Sequence, residues 1–186
     1  MNNFMAVIEY DGTDFNGFQS QPKGVRTVED ELSKVLNRIQ SDDIKIKYSG
    51  RTDSGVHALC QVINFKASIK TDIDRFKWSF NSMLPKDISV KSIKKVDDDF
   101  DARRSAKLRE YQYKVVNADW QSVFLKKYSI HITQKLDIAL MRRSLDLFVG
   151  IKDFSAFCSS GDENISKIRE VFYFDLIKDD DLIIFK

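Results

Sequence analysis

A chain of 186 residues can bury a real core, as one large domain or two small ones. Hydrophobic residues at 42% and charged ones at 31% describe an ordinary globular protein, and no apolar run approaches the ~20 residues that a bilayer-spanning helix needs. A net charge of +2 does not announce a nucleic-acid partner by itself, and two cysteines without C-x-x-C spacing, Cys60 and Cys158, argue against a disulfide or a metal site. Cys60 is expected to pack as a small buried hydrophobe. The opening Met1-Asn2-Asn3-Phe4 lacks the charged and apolar regions of a signal peptide, so a cytoplasmic location and no membrane contact are expected.

Residues 4–10 alternate as a first strand, ended by the turn pair Asp11-Gly12. The loop that follows mixes Phe15, Phe18, Gln19 and Gln21 among small polar residues; these types can stack on and hydrogen-bond to bases, or simply anchor a loop. Thr27 can cap a helix with Asp30 in the acidic capping-box position, and Val28, Leu32, Val35, Leu36 and Ile39 give it one apolar face. Residues 44–49 and 61–65 read as half-buried strands on either side of a short polar insert. A second helix is expected over 72–83, placing Ile73, Phe76, Trp78, Phe80 and Met83 against the same sheet; Leu84-Pro85 stops it, and 88–96 returns as a strand.

The run Asp97-Asp98-Asp99 is a polar break, expected to divide the chain into halves of 1–100 and 101–186. The second half repeats the order of elements. Residues 105–116 read as a strand with Tyr111, Tyr113 and Val115 on one face, 136–148 as a helix stopped by Gly150, and 153–157 as a compact turn. A polar loop over 159–164 precedes a hairpin of 168–177 with 182–185 around Asp179-Asp180-Asp181.

The polar insert between the strands of the first half is Gly50-Arg51-Thr52-Asp53-Ser54-Gly55-Val56-His57-Ala58. Glycines let such a loop approach a ligand closely, and Arg51 stands two residues from Asp53, where it can favour the ionised carboxylate. From the residues alone this is equally a surface Asp–Arg pair, worth little. Between 101 and 127, Arg103, Arg104, Lys107, Arg109, Lys114, Lys126 and Lys127 outnumber Asp101, Glu110 and Asp119, a local basic excess that can track phosphates or form a solvated face.

The insert resembles the catalytic motif of the TruA family of tRNA pseudouridine synthases. Tyr10-Asp11-Gly12-Thr13, Gly17-Phe18-Gln19, Leu84-Pro85-Lys86-Asp87-Ile88, Phe100-Asp101-Ala102-Arg103, Arg109-Glu110-Tyr111-Gln112-Tyr113 and Gly150-Ile151-Lys152-Asp153-Phe154-Ser155-Ala156-Phe157 agree with family blocks in the same order. The resemblance implies an α+β pseudouridine synthase fold of two ferredoxin-like halves, antiparallel sheets flanked by helices, the second half incomplete. It implies isomerisation of uridine to pseudouridine in the tRNA anticodon stem-loop by a homodimer, with no cofactor and no metal. Asp53 takes the place of the catalytic aspartate, Arg51 that of the side chain assisting access to the flipped nucleotide, and Tyr111 that of the tyrosine stacking on the target base. Arg103, Arg104, Lys107 and Arg109 are candidate RNA contacts. An ionised Asp53 in a buried site needs a nearby cation to offset desolvation. The family continues past 182–185 into a helix with a Met-Val-Arg motif that supplies that cation, so a truncated chain is expected, with apolar residues such as Leu182 and Ile184 uncovered. The alternatives are an impaired fragment acting as an RNA-binding protein and, more remotely, an Asp53–His57 hydrolase, for which no nucleophile motif is present. His57 and His131 read as hydrogen-bonded structural histidines.

Overall fold

A computed structural model describes residues 1–22, 24–40, 43–158 and 166–186; the polar loop expected over 159–164 lies outside them. The chain divides into two compact units, Met1–Leu108 and Arg109–Lys186.

In the first unit, β1 (Asn2–Tyr10), α1 (Val28–Gln40), β2 (Ile46–Tyr48), β3 (Ala58–Ala67), α2 (Ile73–Met83) and β4 (Ile88–Val96) follow in order. The four strands form one antiparallel sheet in the order β2-β3-β1-β4, the ferredoxin-like arrangement. Alternation makes this sheet two-faced: Phe4, Ala6, Ile8 and Tyr10 of β1 are buried, with Phe4 opposite Phe65 and Ala6 opposite Ile63. Helix α1 meets them with Val28, Leu32, Val35 and Leu36, and its start is capped as expected, the Asp30 amide donating to Thr27 Oγ1 at 3.2 Å. Helix α2 is capped by Asp72 and adds Phe76 and Phe80 to a run of rings that includes Phe65. Trp78 does not join them. It is 71% exposed, because two residues from both Phe76 and Phe80 is the opposite side of a helix.

β3 carries one more residue than β1 can pair. Ile8 pairs with Gln61 but Tyr10 pairs with Ala58, so alternation breaks at Leu59 and Cys60 and both turn outward. Cys60 is therefore exposed, not the buried hydrophobe that its sequence context suggests.

The break at Asp97–Asp99 is not where the units divide. The segment beyond it is tied to the first sheet by two buried amides. Asn3 Nδ2 donates to the carbonyls of Asp97 and Phe100, and Asn64 Oδ1 accepts from the Ala102 amide at 2.9 Å. These bonds satisfy side chains that burial would otherwise penalise, and they carry the first unit on to Leu108.

The second unit contains β5 (Tyr113–Asn117), β6 (Ile130–Ile132), α3 (Ile138–Leu145), β7 (Gly150–Asp153), β8 (Ile168–Val171), β9 (Leu176–Asp179) and β10 (Leu182–Phe185). Its main sheet runs β6-β5-β10-β9, so β5, α3, β9 and β10 reproduce the placing of β1, α1, β2 and β3. The order of elements is partly repeated, with two departures: β6 comes before the helix and lies parallel to β5, and β7 pairs with β8 in a separate sheet between α3 and β9. Three expected elements are shorter or divided, the helix over 136–148 among them, since its α-helical part is Ile138–Leu145. The strand over 105–116 begins only at Tyr113, which leaves Tyr111 ahead of it; the strand over 168–177 is two strands with different partners, β8 on β7 and β9 on β10. The core is small, built on Val115, Leu145, Leu176 and Ile183. Leu182 and Ile184 are half-buried, while Ile151, Ile168, Phe172 and Ile177 are exposed. Among the described residues no helix is long and apolar enough to cross a membrane.

Candidate active site

The Asp53 loop joins β2 to β3, and its backbone is pinned at nearly every residue. The Ser49 amide donates to the Val62 carbonyl at 2.9 Å, and Gln61 Nε2 donates to the Gly50 carbonyl at 2.5 Å. Thr52 Oγ1 and the Tyr10 hydroxyl share a hydrogen bond of 2.8 Å, and the Thr52 carbonyl accepts from the Phe18 amide at 3.0 Å. Burial raises the Tyr10 phenol's pKa, an effect that the Thr52 bond partly offsets. The Gly55 amide donates to the Phe15 carbonyl at 3.2 Å, and Val56 N to Asp53 O at 3.2 Å closes a turn with Gly55 in third position at φ +78°, a geometry that suits glycine.

The counterpart of this loop is residues 11–19, which lies directly behind it. Gly12 touches Val56 so closely that a Cβ would stand 2.0 Å from the Val56 carbonyl oxygen. Gly17, at φ +90°, packs on Thr52 in the same way, a Cβ there falling 2.9 Å from the Thr52 oxygen. Phe15 and Phe18 are buried beneath, so the loop aromatics anchor it to the core and are not available for base stacking. Arg26 completes the support. Its guanidinium lies 4.1 Å from the centre of the Phe15 ring and binds both carboxylate oxygens of Asp87, at 2.7 and 2.9 Å. The Asp87 hydrogen bond raises the Arg26 pKa above its ordinary value, against partial burial. Asp87→Ala is expected to cost about 1–2 kcal/mol, a charged bidentate bond discounted for part exposure, read as a lowered urea midpoint at unchanged m.

Held by this frame, Asp53 is exposed, and no hydrogen bond or ion pair reaches its carboxylate from the described residues. Two expectations change accordingly. The carboxylate lies open to solvent and not in a buried site, and Arg51, also exposed, makes no ion pair with it. The site offers an accessible carboxylate on a rigid mount, with a guanidinium on the same loop. His57 ends the loop, its Nδ1 accepting from the Gly12 amide at 3.0 Å. His131 Nε2 meets the Ala118 carbonyl at 2.8 Å in the second unit. Both histidines are hydrogen-bonded, as expected.

Tyr111 belongs to the second unit, where its ring is 76% exposed in the segment leading to β5. Its neighbour Glu110 accepts from the Tyr173 hydroxyl at 2.5 Å and pairs with Lys186 at 3.2 Å. The Tyr173 bond, with help from Lys186, lowers the Glu110 pKa, and the same bond raises that of Tyr173. Arg103, Arg104 and Lys107 are exposed at the end of the first unit, the amides of both arginines donating to Asp101 Oδ1; Arg109 is exposed at the start of the second. Among the described residues no three His, Cys, Asp or Glu side chains gather as a metal site requires. The supporting residues Tyr10, Thr52, Arg26 and Asp87 were not singled out from sequence. Only the glycines of the two upstream motifs hinted at a close backbone approach.

Comparison with known proteins identifies the family. The family model described as tRNA pseudouridine synthase matches residues 6–103, which include the whole Asp53 loop and its support. The chain is 43% identical over 187 residues to tRNA pseudouridine synthase A of Dictyoglomus turgidum, covering 100% of this chain and 76% of that protein. It is 42% identical over 172 residues to the protein of that name from Caldicellulosiruptor saccharolyticus, covering 92% and 70%. For the Geobacillus sp. protein the figures are 42% over 181 residues, 97% and 73%. The α+β fold is accordingly a pseudouridine synthase fold, and the chain belongs to the tRNA pseudouridine synthase family.

Proposed function

We propose that the protein isomerises uridine to pseudouridine in tRNA, within the anticodon stem-loop, with Asp53 as its catalytic carboxylate. The observation that carries this reading is the exposed Asp53 carboxylate on a loop whose backbone is fixed on both sides. The reaction breaks the bond from uracil N1 to C1′ of the ribose and makes one from C5. The proton leaves C5 and N1 ends protonated, so atoms and charge balance without a redox partner. A carboxylate can serve by adding covalently or by stabilising developing positive charge. Either role needs it ionised, accessible and aimed, and pinned neighbours supply the aim without reorganisation during the reaction.

Arg51 is assigned to assist access to the flipped nucleotide and to hold phosphate, tasks that suit a planar cation. Tyr111 offers an exposed ring for stacking on the target base. Tyr111→Ala is expected to weaken tRNA binding by about 1–3 kcal/mol and Tyr111→Phe to leave it near the parent value. Equal affinity of all three proteins would remove Tyr111 from base stacking. Arg103, Arg104, Lys107 and Arg109 are assigned to phosphates, and a homodimer acting in the cytoplasm completes the proposal.

The test is release of tritium from tRNA labelled at uridine C5. Release by this chain supports the proposal; silence from folded protein would sink it. One observation favours a second reading, an RNA-binding protein without turnover: Asp53 has no cationic partner among the described residues. Under that reading tRNA binds and C5 tritium stays in place.

A further inference from the structure

The geometry points to His57 as a positioning residue for the Asp53 loop, an inference that rests on the proposed reaction. His57 lies four residues beyond Asp53, at the point where the loop becomes β3, and its ring is only partly exposed. The Gly12 amide donates to its Nδ1 at 3.0 Å, a bond available only while that nitrogen carries its lone pair. This places the imidazole's proton-accepting edge against Gly12, which also packs on the Val56 carbonyl. Beside the backbone bonds that pin it, the loop thus has two anchors made by side chains. Tyr10 and Thr52 hold the side before Asp53, and His57 and Gly12 hold the side after it.

The Gly12 side of the second anchor is itself stiff. Asp11 Oδ1 accepts from the Thr13 amide at 3.0 Å and from Thr13 Oγ1 at 2.5 Å, which closes the turn that aims the Gly12 N–H. The same oxygen stands 3.1 Å from His57 Nδ1, close enough to compete for the ring if that nitrogen gains a proton. His57 touches none of the reacting atoms in this scheme. It acts by keeping residues 53–56 where the upstream loop can hold them, and removing its acceptor loosens the side after Asp53, leaving it to the Gly55–Phe15 and Val56–Asp53 bonds.

The experiment compares the parent, His57→Leu, which has no acceptor, and His57→Asn, whose Oδ1 stands near the place of Nδ1. Steady-state tritium release and amide exchange at Gly55 and Val56 are read for each. The expected result is a fall of roughly tenfold in kcat for His57→Leu at unchanged KM, from a carboxylate displaced by a fraction of an ångström, with most of it restored in His57→Asn. The Gly55 and Val56 amides should exchange faster in His57→Leu alone. An active parent matched by an equally active His57→Leu overturns the inference. If the parent releases no tritium, the functional proposal fails and the exchange data decide. Faster exchange reversed by Asn then sustains the anchor, and unchanged exchange overturns it.

Discussion

Asp53→Asn is expected to lower tritium release from C5-labelled tRNA by about a thousandfold or more, while stability stays within about 0.5 kcal/mol of the parent. The two halves of that outcome come from one fact. The Asp53 side chain is exposed and receives no hydrogen bond or ion pair from the described residues, so the fold does not depend on it. The substitution preserves size and removes only the charge. Binding of tRNA should persist, because no phosphate contact is assigned to Asp53. Retained turnover in Asp53→Asn would assign the chemistry elsewhere.

Gly12→Ala should damage both stability and turnover. The added Cβ would lie 2.0 Å from the Val56 carbonyl oxygen and 2.5 Å from its carbon. Both obstacles are backbone, so no rotamer change relieves them; the two loops must move apart by about 1 Å. Overpacking of this kind costs about 3 kcal/mol, and a 1 Å displacement of the residues beside Asp53 lowers kcat by about a hundredfold. Gly55→Ala is the contrasting control, since open space surrounds its Cβ and only the φ of +78° opposes it. That cost is about 1–2 kcal/mol, borne locally. Similar melting temperatures and rates for Gly12→Ala and the parent would mean that the loops are not in the contact described.

Elements whose signals are local were legible in the sequence. Thr27 with Asp30 and Asp72 with the residues after it mark helix starts within one turn, and Phe4, Ala6 and Ile8 declare the buried face of a strand. Asp53 and its loop were singled out through the resemblance of the nine-residue motif to the family's, since the residues alone read equally as a surface Asp–Arg pair. Features set by distant partners were not. Arg26 meets Asp87 across 61 positions, and nothing near either residue encodes the pairing. The parallel pairing of β6 with β5 depends on the path of the whole segment between them. Residues 168–177 read as one strand of a hairpin, and their partners divide them. Trp78 is a different case: helical periodicity already placed it opposite Phe76 and Phe80, and its apolar character obscured that.

The bulge at Leu59 and Cys60 separates two phases of the same strand. Beyond it, Ile63 and Phe65 face the core; before it, His57 faces Gly12. Deleting either bulge residue would restore regular pairing and turn one of those sets to the wrong side. The nine-residue motif is therefore not portable by itself: its direction comes from the bulge, from the Ser49–Val62 and Gln61–Gly50 hydrogen bonds at its base, and from residues 11–19 behind it. A loop transplanted without its bulge would carry the aspartate and lose its direction.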